Sequence, residues 1–320
     1  MKRFSELKYF RPDGEALLAD IAGAAGAFKT AENYQTAREI FLDLNRKQEH
    51  FDTMAEFASI RSSIDTRDEF YEKEMKYFHG IRPRISVEMK KFYKVFLESI
   101  FLPDFEGEFG KLYIENVQSR MRLAAECNIE LQVRESTLIQ EYHRTAAAPQ
   151  AEFHGEILNF YGLLKKMQDP DRKIRREAMD TWSSLYESIS EKLDAIYSEL
   201  VGIRLKLAEN LGFSGYEEMI FLQNKRYTYT SEDVAAFREQ ILRHIVPVCN
   251  RLIEEQKNRL GIETLHYYDE ALMFPEGNAV PTGTKDEMLA NAGKMYRELS
   301  DATGKFFDFM LRYDLFDLET

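Results

Sequence analysis

"DPDRKIRREAMDTWSSLYESISEKLDAIYSELVGIRLKLAENLG", residues 169–212, decides the fold class. Within it Ile174, Ala178, Trp182, Leu185, Ile189, Leu193, Ile196, Leu200, Ile203 and Leu207 recur at steps of three and four. That is the period of an α-helix, and it lays one apolar stripe along a helix of roughly 40 residues, about 60 Å long. Asp169 has the chemistry of an N-cap, because its carboxylate can accept from free first-turn N–H groups; Pro170 stands where a missing N–H costs nothing. Gly212 is the expected stop. A helix of that length is expected to be a spine for shorter ones.

Helical periodicity continues on both sides. Residues 31–60 and 66–101 read as an amphipathic pair, the second interrupted at Pro83, which removes a backbone donor. Pro103 marks a restart into a helix over 106–127. Beyond the spine come a short helix near 215–223 and a long one capped by Ser231 and kinked at Pro247. A last helix over 285–313 carries Met288, Met295, Leu299, Phe306 and Phe309 at helical spacing. Strand-like patterning is confined to 128–160, where Ile129, Leu131 and Val133 alternate and Phe153 and Ile157 sit among polar neighbours. The expectation is an all-α array of long amphipathic helices, with at most a small strand pair near 128–160.

One stretch is irregular yet apolar: "HYYDEALMFPEGNAVPTGTKDE", residues 266–287. Gly277-Asn278 and Pro281 supply turn chemistry, while Leu272, Met273 and Phe274 suit a core.

Composition excludes several classes. The 320 residues are 44% apolar and 31% charged, which is globular usage. No run approaches the roughly 20 apolar residues of a membrane span, and the N-terminus has no apolar signal core, so a cytoplasmic protein is expected. The net charge of −12 is the wrong sign for binding nucleic acid. The densest basic run, "RKIRREA" at 172–178, reads as a solvated helix face. Cys127 and Cys249 offer no disulfide framework or CxxC metal site and read as small buried thiols.

Catalytic templates do not appear. The histidines are His50, His79, His143, His154, His244 and His266; no two are three or four apart, and none precedes a Glu. The zinc motif H-E-x-x-H is therefore missing, as are a nucleophile elbow and the glycine-rich phosphate and dinucleotide loops.

Five stretches, taken together and in order, carry a resemblance: "FSELKYFRPD" (4–13), "DEFYEKEMKYF" (68–78), "FHGEILNFYGLLKKMQDPDRKIRREAMDTW" (153–182), "LAENLGFSGYEEMIF" (207–221) and "YDEALMFPEGNAVPTGT" (268–284). The sequence resembles the oligoendopeptidase F family of thimet-oligopeptidase-like zinc metallopeptidases, on the Pz-peptidase branch. The resemblance implies an α-helical enzyme that hydrolyses short unfolded peptides in an internal channel by zinc-activated water. It also implies a division into an N-terminal helical region (1–110), an oligoendopeptidase-type N-terminal domain (111–190) and the first part of a catalytic domain (191–320). The family's zinc motif has no counterpart here, so the chain is expected to be truncated before its active site. It would supply channel wall, no catalytic residue and no bound zinc, with apolar surface left for self-association. Phe274, Glu276 and Asn278 are the substrate-channel candidates. The alternative is a catalytically inactive remnant serving as a helical peptide- or protein-binding module.

Overall fold

Three capping residues launch the first helices. Asp13 Oδ1 accepts from Ala16 N ahead of α1 (Gly14–Lys29), Asn33 Oδ1 from Thr36 N ahead of α2 (Tyr34–Ile64), and Asp68 Oδ1 from Phe70 N and Tyr71 N ahead of α3 (Glu69–Leu97). The computed structural model describes residues 2–280 and 282–317, so the turn expected at Pro281 lies outside the described residues. α3 continues through Pro83, which is buried and does not break the helix. The helix expected over 106–127 is two, α4 (Leu102–Phe109) and α5 (Lys111–Leu123). Gly110, at φ 86°, turns the chain between them in a conformation that a Cβ disfavours.

These five helices enclose an aromatic core. Phe41, Phe96 and Phe105 are fully buried, with ring centroids 5.4, 5.1 and 4.9 Å apart pairwise. Such offset and edge-to-face pairs add to the gain from burying the rings. The N-terminal segment is tied down by charge: Arg11 and Tyr9 both donate to Glu74 of α3, which is 2% exposed.

Residues 129–133 are not a strand. They open α6 (Ile129–Ala147), in which Leu131, Leu138 and Ile139 pack toward the second core. Three alternating residues are too short a window to tell period 2 from period 3.6, and the helix settles the choice by burying Leu138. The expected strand pair is β1 (Ala151–Phe153) and β2 (Glu156–Leu158), antiparallel, with Ala151 opposite Leu158. His154 (φ 52°) and Gly155 (φ 85°) make its two-residue turn. α7 (Phe160–Lys166) follows.

α8 (Arg172–Asn210) is the expected spine, 39 residues long. Its cap is Asp171, accepting from Lys173 N, while Asp169 steps back to accept from Asp171 N. The stripe serves two cores. Ala178 and Leu185 pack with Phe153, Leu163 and Met167; Ile196, Leu200, Ile203 and Leu207 pack with Leu138, Phe213 and Met219. Gly212, at φ 75°, ends the helix as expected, with Phe213 N donating to Ala208 O.

After α9 (Tyr216–Gln223), Thr230 rather than Ser231 caps α10 (Ser231–Gln240), accepting from Asp233 N. Residues 241–245 form a π-turn, closed by Val246 N donating to Ile241 O, that leads into α11 (Val246–Leu260). Pro247 cannot donate one turn back, and the wider turn beside it accommodates that loss. The single helix expected over 285–313 is two, α12 (Lys285–Leu299) and α13 (Asp301–Arg312). Ser300 is extended (φ −171°), and its Oγ accepts from Thr303 N to start α13. The pair then folds side by side, with Arg297 on Asp308 at 2.6 Å and Tyr296 stacked on Phe307. Both cysteines are exposed, against the buried placement expected, because α11 and the 126–128 turn present them outward.

Candidate functional site: an anchored loop beside an open helical face

The 261–284 segment is irregular but fixed at three points. The first is ionic. Asp269, fully buried, receives Arg175 Nη2 at 2.7 Å and Arg172 Nη2 at 2.8 Å, both from the first turn of α8. Desolvation pushes the Asp269 carboxyl up, but hydrogen bonds from Arg172, Arg175 and the His266 N–H outweigh it and hold the pKa below its ordinary value. Arg175 also donates to the carbonyls of Asp169 and Pro170, so one guanidinium fixes both the loop and the entry to α8. Its buried Nε has no partner among the described residues. The basic run 172–178 is thus not simply a solvated face: Arg175 is 3% exposed.

The second anchor is Gln256 on α11, whose Nε2 donates to the carbonyls of Glu270 and Leu272. The third is Asn278. Its Oδ1 accepts from Met273 N at 2.6 Å, and its Nδ2 donates to Ala271 O at 2.7 Å and to Gln168 Oε1 at 3.1 Å. Gly277, at φ 112°, makes the turn that aims it.

The three channel candidates therefore separate. Asn278 is half-buried and braces the loop; Phe274 is 45% exposed, with the Arg259 guanidinium 4.8 Å from its ring centroid; Glu276 is exposed. Local sequence held no signal for Arg172, Arg175, Gln256 or Asp269 as anchors, because each acts through a partner distant in the chain.

Beside the loop, α10, the π-turn and α11 present an almost wholly exposed surface from residue 232 to 255. Phe237, Leu242, Ile245, Leu252 and Ile253 are exposed on it. α12 and α13 add exposed Met295, Leu299 and Phe306. Exposed apolar side chains at this density along one helix favour a binding or docking face.

The donors for a metal are dispersed. His154 Nε2 meets Glu177 at 2.9 Å, and His266 stacks on Tyr268. His79 is held below its ordinary pKa by burial and then by Arg82. Among the described residues no group of three His, Cys, Asp or Glu side chains could hold a metal ion. These residues do not fit the zinc that the resemblance implies.

Residues 4–124 match the peptidase M3 N-terminal domain, and residues 166–274 match peptidase family M3 itself. The chain belongs to peptidase family M3. The M3 chain is 35% identical to Pz-peptidase A, solved with an inhibitor, over 99% of its own length and 56% of that chain, with a TM-score of 0.94. It is 32% identical to a structure from Bacillus anthracis described as an oligoendopeptidase F, over 99% of its length and 58% of that chain, again with a TM-score of 0.94. A further oligoendopeptidase F structure, at 3.1 Å, gives 33% identity, 99% and 56% coverage and the same TM-score. The M3 chain thus spans just over half the length of these solved relatives. No curated protein sequence matches it. The loop lies at the end of the M3 match, and the exposed α10–α11 helix lies within it. No helix among the described residues is long and apolar enough to cross a membrane.

Proposed function

We propose that this M3 chain is the helical, peptide-contacting part of a cytoplasmic zinc oligoendopeptidase that hydrolyses short unfolded peptides. The observation that carries the reading is the α10–α11 face, exposed from end to end beside a loop that is fixed at three points. A fixed loop next to an uncovered apolar helix suits a channel wall whose opposite wall and zinc ligands are supplied by further polypeptide. The share of the solved relatives that the chain spans agrees with this. The division into 1–110, 111–190 and 191–320 is part of the same proposal.

The test uses a longer chain that includes an H-E-x-x-H segment, assayed on a quenched collagen-like peptide. Zinc-dependent cleavage is expected there and not from residues 1–320 alone, which should bind no stoichiometric zinc. Asn278→Ala and Glu276→Ala should raise KM for peptide with little change in kcat. Unchanged kinetics would assign the loop to packing alone. Zinc-dependent turnover by residues 1–320 would overturn the division of labour.

The second reading, an inactive peptide- or partner-binding module, draws on the same exposed face. A longer chain that carries the zinc motif and still cleaves nothing would favour it.

A further inference from the structure

A cavity of about 390 Å³ lies where the first helical layer meets the spine, lined from α2, α3, α5, α6, α8 and α9. It is away from the α10–α11 face, and neither the anchored loop nor its candidates reach it. Its size falls near the small end of ligand cavities, roughly 300–1,000 Å³.

Its lining is chemically divided. Ile85, Met89, Leu207 and Met219 give an apolar wall, each buried. Opposed to them are charges that the protein leaves under-used. Arg120 has the Tyr93 hydroxyl at 3.2 Å as its hydrogen-bond partner, and among the described residues neither Arg120 nor Lys225 has a carboxylate within ion-pair distance. Asp52 meets Arg82 only at 3.9 Å, while Arg82 lies closer to Glu56, at 3.2 Å. Partial desolvation raises the Asp52 pKa although its side chain is 54% exposed, and Arg82 and Arg120 oppose the rise. Glu135, by contrast, is satisfied by Arg204 at 2.8 Å. The side chains of Gln48, Gln132 and Gln223 also border the space without a protein hydrogen bond among the described residues.

We propose that this cavity binds a zwitterionic dipeptide or tripeptide, with Arg120 and Lys225 taking its carboxylate, Asp52 its ammonium and the Met89–Met219 wall its side chain. Two cations, a carboxylate and an apolar wall within a space of this size match the two termini and side chain of a short peptide. Arg suits a carboxylate because its planar fork pairs with both oxygens. A long peptide does not fit the volume. The ligand class is what an oligopeptidase releases, so the inference rests on the function proposed above and adds a site for its product.

The test is calorimetric titration of the purified chain with the dipeptide Ala-Leu, its N-acetylated form and its C-amide. Binding of Ala-Leu is expected. Arg120→Gln and Asp52→Asn should each weaken it about tenfold or more, the scale of a lost charged hydrogen bond, with Arg120→Lys recovering part of the loss. Amidation should weaken binding and abolish the effect of Arg120→Gln; acetylation should do the same for Asp52→Asn. Thermal melts of each variant separate loss of the site from loss of fold, and the blocked peptides need no variant at all. No heat from Ala-Leu up to its solubility limit, or equal affinity for the free and blocked peptides, overturns the proposal. The readout is binding without turnover, so its failure is distinct from a failure of the longer chain to cleave.

Discussion

Arg175 and Asp269, 94 residues apart, meet at 2.7 Å with both side chains withdrawn from water. The pair joins the first turn of the spine to the short 3-10 turn Tyr267–Asp269 in an otherwise irregular segment. A buried ion pair is weak evidence of net stability, but removing one partner strands the other charge, which costs about 3–5 kcal/mol.

Asp269→Ala is therefore expected to destabilise the α8–loop region by about that amount. Trp182, the only tryptophan, packs in the same cluster as Ala271, so its fluorescence in a urea titration reports the change directly. An unshifted midpoint would show that the loop holds without the pair.

Acid should loosen the molecule through three carboxylates. Asp269 is held below the ordinary carboxylate range as described, and Glu74 is lowered first by the Arg11 hydrogen bond, against the opposing effect of burial. Glu108 is lowered to about 2 by hydrogen bonds from Arg38 and Tyr34. Each folded pKa lies below its unfolded value. The linked stability is therefore full above roughly pH 4–4.5, and it falls as pH drops through the folded values. Urea midpoints measured from pH 7 to pH 2 should decline below about pH 4.5. The Asp269→Asn/Glu74→Gln double variant should show a flatter decline from a lower start.

The exposed helix predicts behaviour in solution. Phe237→Glu and Leu252→Glu remove apolar surface without touching a core, so each should change stability by no more than about 0.5 kcal/mol. Sedimentation should show wild type self-associating with rising concentration and the double variant remaining monomeric. Binding of a hydrophobic dye should fall in parallel. A wild-type chain that is monomeric and binds no dye would contradict the docking role of this face.

Asn278→Ala tests the loop from inside. It deletes the acceptor for Met273 N and the donor to Ala271 O, and the expected loss is about 1–3 kcal/mol from backbone groups left unpaired. Faster proteolysis within 271–280, with the rest of the chain intact, is the signature to look for.

The spine was legible because ten apolar residues at helical spacing overdetermine a helix, and Gly212 stops it where a left-handed residue is needed. α6 was not, because the alternation of Ile129, Leu131 and Val133 fits either period and only burial of Leu138 distinguishes them. The break at Ser300 had a local sign, a serine three residues before Thr303 in capping register, hidden by the apolar stripe that runs across it. Arg175 had none: in a basic run it looks like its solvated neighbours, and Asp269 reaches it only in the folded chain. Of the channel candidates, turn chemistry pointed to Asn278, but what it braces, Gln168 and Ala271, is set by tertiary contact.

The π-turn at 241–245 sets the phase of the open helix. Its one surplus residue sets everything after it back by about 100° relative to an uninterrupted α-helix. With that offset, Phe237 lies within about 40° of Ile245 and Leu252; the same residues wound as plain α-helix would put them about 60–80° away. Substitutions that turned 241–245 into ordinary α-helix, with no residue removed, would leave the composition almost unchanged and swing the two halves of the face apart. The helix works as one ruler only because it carries an extra mark.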